Sequence, residues 1–273
     1  MGDSHTRNSH VEYIPIKVKV QRKPFDLFKV IIEEIKKNKE EIKNGDIIVI
    51  SSKFAAMSQG RIVNLSNVIP SKEAEELGKK LDMNYGLVET ILKESEFILG
   101  GIPGFLLTIN NGVLTPNAGI DKSNIFPNWI ILQPSNPFNL AENLRKNILK
   151  FKEKKVGIIL TDSRLMPTRR GTTGVSMGVA GFEPLSDERG RKDLFGNVLK
   201  VTFRALADDI CGGAQLLMGE ASEATPIVIV RFLYLKRRFI KFTERKITKN
   251  DLSVDYDECV YIRGLNYFKI KQK

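Results

Sequence analysis

Apolar residues along this chain alternate between short β-branched runs and stretches of helical periodicity, so strands and helices are expected to interleave. Val11 to Val20 alternates as a strand does, and Asp26 is placed to cap a helix whose apolar positions Leu27, Val30, Ile31 and Ile35 recur at i, i+3, i+4 and i+8. After the stop signal Asn44-Gly45, Asp46 to Ile50 reads as a strand closing in Ser51-Ser52-Lys53, and Gln59-Gly60-Arg61 precedes another short strand. Ser71 starts a lysine- and glutamate-rich helix to about Leu81, and Tyr85 to Ser95 forms a second. The breaker cluster Gly100-Gly101-Ile102-Pro103-Gly104 marks a place where a subdomain seam could fall. Phe105 to Ile109 and Val113 to Thr115 flank Asn110-Asn111-Gly112 as a hairpin. Trp129 to Leu132 reads as a strand, and Asn139 to Phe151 as a helix with Asn139 at its cap and Glu142 at the capping-box position.

The second half follows the same rhythm. Val156 to Leu160 is a buried strand, and Val175 to Phe182 is apolar and glycine-punctuated. Residues 199–218 read as one long helix whose small residues (Ala205, Ala207, Gly212, Gly213, Ala214) suit close packing against the same chain or a twin subunit. Residues 225–235 form another buried strand, and the tail alternates strand and basic turns to Lys273. Residues 1–10 are polar, hold both histidines (His5 and His10) and read as a disordered lead.

Candidate chemistry concentrates where the Val156–Leu160 strand runs into Thr161, Asp162 and Ser163, since ligands of open α/β sheets sit at the carboxyl ends of strands. The next residues, Arg164 to Gly174, form a loop with three arginines, hydroxyls and glycines, suited to phosphate or carboxylate. Asp121, Asp162 and Glu220 each end an ordered segment beside small residues, and hard divalent cations that serve phosphates take such carboxylates. Ser52 and Lys53 at a strand end could cradle a phosphate or simply make a turn. There is no Gly-x-x-x-x-Gly-Lys-Ser/Thr loop, no serine elbow is read, and with both histidines in the polar lead no triad hydrolase is expected.

Bulk properties narrow this only a little. The net charge of +11 favours anionic partners, although much of the excess is lysine in runs typical of a solvated face. The longest apolar run, Ile227 to Leu235, is interrupted by Arg231 and falls short of the ~20 residues of a membrane span. Cys211 and Cys259 lie far apart with no metal-type spacing, which suits a reducing, cytoplasmic setting.

Several blocks together carry a resemblance. They include Ser52-Lys53 with Gly60-Arg61, Asn117-Ala-Gly-Ile-Asp121-x-Ser123-Asn124, Ile159-Leu-Thr-Asp162-Ser163 and Arg169-x-Gly171. Asp187-x-Arg189-Gly190-x-x-Asp193-Leu-Phe-Gly196, Met218-Gly219-Glu220 and Pro226-x-x-x-x-Arg231 continue the pattern. On these the chain resembles the coenzyme F420-0:L-glutamate ligase family over nearly its whole length after residue 11. The resemblance implies an α+β fold with mixed sheets, two intertwined subdomains and an intertwined homodimer. It implies a GTP-dependent ligase that joins L-glutamate to a deazaflavin coenzyme precursor through an acyl phosphate. Asp121, Asp162, Ser163 and Glu220 would hold Mg²⁺ or Mn²⁺, and Ser52, Lys53, Ser163, Arg169 and Gly171 would lie near phosphates or substrate. Asp162 and Arg169 would be catalytic.

The chain departs from the family at Leu165-Met166, where Gly-Arg is usual, at Thr168, usually aromatic, and over Lys19 to Asp26. A paralogous ligase with another carboxylate acceptor is therefore one alternative. A non-catalytic binder of nucleotide or nucleic acid, using the basic surface, is another.

Overall fold

Ile47–Ser51 and Ile227–Leu233 are apolar at nearly every position because both run through a sheet covered on two faces. The computed structural model describes residues 10–233 and 240–267. In chain order the first half contains β1 (His10–Ile16), α1 (Leu27–Lys37), β2 (Ile47–Ser51), α2 (Ser52–Ser58), β3 (Ile62–Asn64), α3 (Lys72–Leu81), α4 (Tyr85–Glu94), β4 (Phe97–Ile102), β5 (Phe105–Asn110), β6 (Val113–Pro116) and β7 (Trp129–Ile131). The second half contains α5 (Pro137–Lys152), β8 (Gly157–Leu165), β9 (Thr172–Ala180), β10 (Ser186–Asp187), β11 (Phe203–Arg204), α6 (Leu206–Met218), β12 (Ile227–Leu233) and α7 (Val260–Tyr267). This is the mixed α and β class expected.

The main sheet has the order β1-β12-β2-β8-β9, with β2 and β8 parallel and every other pair antiparallel. Alternation divides its side chains between two cores. Ile48, Ile50, Ile158, Leu160, Ile227 and Ile229 pack under α1 and α5, through Leu27, Ile31, Ile35, Ala141, Leu144 and Ile148. Ile47, Val49, Ile159, Val228 and Val230 face α6, through Ala207, Ile210, Cys211 and Ala214. The small residues of α6 thus serve packing within the chain. A Cβ on Gly213 would meet the Tyr13 ring of β1. A third core, with Leu87, Val88, Ile91, Leu106 and Ile130, holds α3, α4 and the small sheets β4-β5-β6 and β3-β7. That region, residues 62–131, is inserted between α2 and α5.

Tertiary pairing moved several expected boundaries. β1 ends at Ile16, not Val20, because its partner β12 begins at Ile227 opposite it. The lead is shorter than expected, since His10 already pairs with Leu233, while residues 1–9 lie outside the described residues. Gly100 to Gly104 forms the end of β4 and its turn into β5. α5 starts at Pro137 after Asn136, so Asn139 is interior, and Glu142 accepts both guanidinium bonds of Arg145 at 2.8 Å instead of capping. The expected helix over 199–218 begins only at Leu206. Residues 199–204 pair instead with the preceding loop, as Leu199 N–H donates to Arg191 O and Phe203 pairs with Asp187. Among the described residues of the tail, 240–267, the main element is α7 and no strand is formed, while residues 234–239 and 268–273 lie outside the described residues.

Candidate active site

The strand bearing Asp162 does not end there. β8 continues to Leu165 in a hairpin with β9, but its parallel partner β2 stops at Ser51, opposite Thr161. Ser52 and Asp162 therefore come side by side where the parallel pairing runs out, and Ser52 Oγ donates to Asp162 Oδ1 at 2.7 Å. α2 begins at Ser52 itself, so Lys53 sits in its first turn beside the same edge.

The opposite wall comes from the 62–131 region. Asn117, Ala118 and Gly119 take three consecutive positive φ angles of 52°, 54° and 67°, held by Leu106 N–H on Asn117 Oδ1 and Ala118 N–H on the Thr108 hydroxyl. A Cβ on Gly119 would run into the amide of buried Gln133, which accounts for glycine there. The turn delivers Asp121, whose backbone pairs with Ile131. Lys53 Nζ then lies 2.6 Å from Asp121 Oδ2 and 2.6 Å from Ser123 Oγ, and Ser123 N–H donates to Asp121 Oδ1 at 2.6 Å.

The two carboxylates experience opposite fields. Burial pushes the Asp162 carboxyl up to about 6, with the Ser52 hydroxyl opposing the rise and the Asp121 charge adding to it. Burial also works against the ionised form of Asp121, but Lys53 and the Ser123 N–H outweigh it and hold that group below its ordinary value. Glu220, exposed after α6, accepts from Thr172 Oγ1 at 2.7 Å and Gln215 Nε2 at 2.9 Å. Lys53, Asp121, Asp162, Ser163, Gln215 and Glu220 all line one cleft of about 320 Å³.

A second cleft, of about 450 Å³, shares Asp121, Asp162 and Ser163 with the first and adds Lys122, Arg164 and Thr172 beside apolar Leu87, Phe105, Ile120 and Leu165. Arg164 is half-buried, and burial lowers its pKa. Its Nε is buried without a partner among the described residues.

Of the site residues expected from sequence, Ser52, Lys53, Asp121, Asp162, Ser163 and Glu220 are brought together. Arg169 and Gly171 are not: β8 and β9 carry them out to the exposed hairpin tip, where they line neither cleft. Arg164 and Thr172, read only as members of an arginine- and hydroxyl-bearing loop, stand on β8 and β9 beside the clefts, and Gln215 was missed. The strand's true length would have pointed to Arg164, two residues beyond Asp162 on the same strand; nothing local marks Gln215. The spacing Gly174-x-Ser176-x-Gly178 does match a serine elbow, but Ser176 is buried within β9 and bonded through Oγ to Asp208 Oδ1 at 2.6 Å. Gly178 is needed there because a Cβ would strike the backbone of Pro137 at the start of α5.

Among the described residues, no three carboxylate, imidazole or thiol side chains are gathered closely enough to form a ready-made ion cage. The donor set nevertheless suits a hard divalent cation, being all oxygen, and Lys53 already supplies the cation that Asp121 requires.

This geometry can be set beside known proteins. The family model described as F420-0:Gamma-glutamyl ligase matches residues 15–231. A protein of Methanocaldococcus jannaschii named coenzyme F420:L-glutamate ligase is 42% identical over 191 residues, 70% of this chain and 76% of the relative. Proteins of the same name from Methanopyrus kandleri and Archaeoglobus fulgidus are 36% and 37% identical, over 82% and 74% of this chain and 86% and 81% of their own lengths. The walls of the cleft, from Val18 to Pro226, fall wholly within the matched span, and the chain belongs to the F420-0:gamma-glutamyl ligase family.

Proposed function

We propose that this protein joins L-glutamate to the carboxylate of coenzyme F420-0 using GTP and Mg²⁺ or Mn²⁺. The relatives' shared name supports the substrates. The observation that carries the chemistry is the Asp121–Lys53–Ser123 cluster facing Asp162 across one cleft. The acceptor carboxylate attacks the γ-phosphate, GDP leaves, and the glutamate amine displaces phosphate from the acyl phosphate to give the amide. Lys53 moves from Asp121 to the phosphates, Ser52 keeps the Asp162 carboxylate oriented, and the buried strand ends keep bulk water from the mixed anhydride. Asp121, Asp162, Ser163 and Glu220 would hold the cation, which offsets charge as the phosphoryl group transfers.

Incubating protein with GTP, Mn²⁺ or Mg²⁺, glutamate and the deazaflavin precursor, and following product mass, tests the reading. A gain of one or more glutamates with GDP release is expected. GTP turnover without such a gain would refute the acceptor, and no GTP turnover with either cation would refute the ligase reading.

We further propose self-association through the 187–204 region, where Leu194, Phe195 and Val201 are 100%, 92% and 83% exposed. Light scattering should give a dimer mass that falls to the monomer in Leu194→Asp/Phe195→Asp; a monomeric parent would refute this. Among the described residues no helix is long and apolar enough to cross a membrane.

A further inference from the structure

The two clefts meet at Asp121, Asp162 and Ser163 and open to different surroundings. The first contains the Lys53 cluster and Glu220, which the proposed reaction assigns to nucleotide phosphates. A second substrate must then reach the shared carboxylates from the other side. Thr172 separates the two spaces: its hydroxyl is bonded to Glu220 of the first cleft while the residue lines the second.

What stands in the second cleft is a cation with nothing to hold. Among the described residues the Arg164 Nε is buried with no hydrogen-bond partner, and no ion pair of its guanidinium is formed. The nearby acid that it feels, Asp208, is occupied by Ser176, whose backbone N–H and hydroxyl donate to it at 2.8 and 2.6 Å. A partly buried guanidinium left unpaired is costly, and a carboxylate would answer it with two parallel bonds. Leu87, Phe105, Ile120 and Leu165 beside it lower the competition from water and suit the carbon part of the same ligand. Arg164 lies two residues from Asp162, roughly 6.6 Å along an extended strand, so an anion held there leaves the next few atoms of its molecule at the shared carboxylates.

We propose that the second cleft binds the non-nucleotide substrate and that Arg164 is its specificity-determining anchor, pairing with a carboxylate of that molecule. The inference rests on the ligase reading above. The carboxylate belongs either to the incoming amino acid or to the acceptor, and the measurement separates the two.

Wild type, Arg164→Met and Arg164→Lys would be compared by calorimetric titration with L-glutamate and, separately, with the deazaflavin precursor, each with GTP and Mg²⁺ present, and by steady-state kinetics. Arg164→Met is expected to weaken one of the two ligands by about tenfold to a hundredfold in Kd and KM. KM for GTP should stay unchanged and kcat within a few-fold. Arg164→Lys should recover part of the loss, since it keeps the charge without the fork. Weakened glutamate assigns the anchor to the amino acid; weakened precursor assigns it to the acceptor. If neither ligand weakens while the melting temperature falls, Arg164 only packs against Asp208 and the proposal is overturned. Loss of affinity for GTP alone overturns it as well. If wild type forms no product yet binds one of these ligands through Arg164, the anchor stands and the reaction reading fails.

Discussion

The two walls of the cleft carry the same functional group in contrasting settings. Asp162 follows the fully buried run Ile158 to Thr161 on a strand of the main sheet, and its closest side-chain partner is the neutral Ser52 hydroxyl. Asp121 sits at the end of a left-handed turn, half-exposed, with a lysine and a backbone N–H in contact. The first is pushed up to about 6 and the second is held down. Their difference shows where positive charge is still wanted: Asp121 has Lys53 in direct contact, while Asp162 feels Lys53 only at a distance and feels the Asp121 charge as well. A cation entering from solvent would gain most at Asp162.

The sharpest way to break the contrast is Asp162→Asn. Turnover should fall to background, measured as GDP release. The resting protein should be more stable by on the order of 1–3 kcal/mol in denaturant titration at pH 7.5, because an ionised group held two units above its ordinary value is replaced by a neutral one. Full activity in this variant would remove Asp162 from the site. Lys53→Met attacks the other wall: kcat/KM for GTP should drop about tenfold to a hundredfold, as expected for one charge-assisted bond, and the Asp121 carboxyl, followed by carbon NMR, should titrate higher than in the parent.

A pH series sharpens the same comparison with a smaller effect. The folded-state pKa of Asp162, about 6, lies above the ~3.9 of an unfolded aspartate, so the native state binds the extra proton between about pH 6 and pH 4. The stability difference between Asp162→Asn and wild type, measured without metal, should therefore shrink as pH falls through that window. Stabilisation of wild type by Mg²⁺ should weaken over the same range. A difference that stayed constant from pH 7 to pH 4 would contradict the raised pKa. The smallest effect is expected at the hairpin tip: Arg169→Ala should cost no more than about tenfold in kcat/KM, far less than Asp162→Asn, because Arg169 lines neither cleft.

Local signals were reliable wherever one element dictated its own ends. Asp26, Ser71 and Asn84 cap α1, α3 and α4 through their side chains, and Asn111-Gly112 turns the β5–β6 hairpin with both residues at positive φ. Misreadings arose where a distant partner decided. Proline at the first helical position moved the start of α5, and pairing with the 187–193 loop took residues 199–204 from α6. At the site, the chemistry of Asp121, Asp162 and Glu220 was legible as carboxylates at segment ends, while their fields were not, since Lys53 lies far from Asp121 in sequence.

By itself the sequence determined the order of most strands and helices, though not all their ends, and which residues bear oxygen and charge, because hydrophobic periodicity and capping act over a few residues. Only the tertiary structure decided that β8 runs on past Asp162, that Arg169 is carried away from the cleft while Arg164 stays beside it, and that one aspartate is neutralised while its neighbour is not. Those outcomes depend on strand register and on the insertion of residues 62–131 against the sheet's edge. They join groups distant in sequence, and the electrostatics of each group follow from the neighbours that packing supplies.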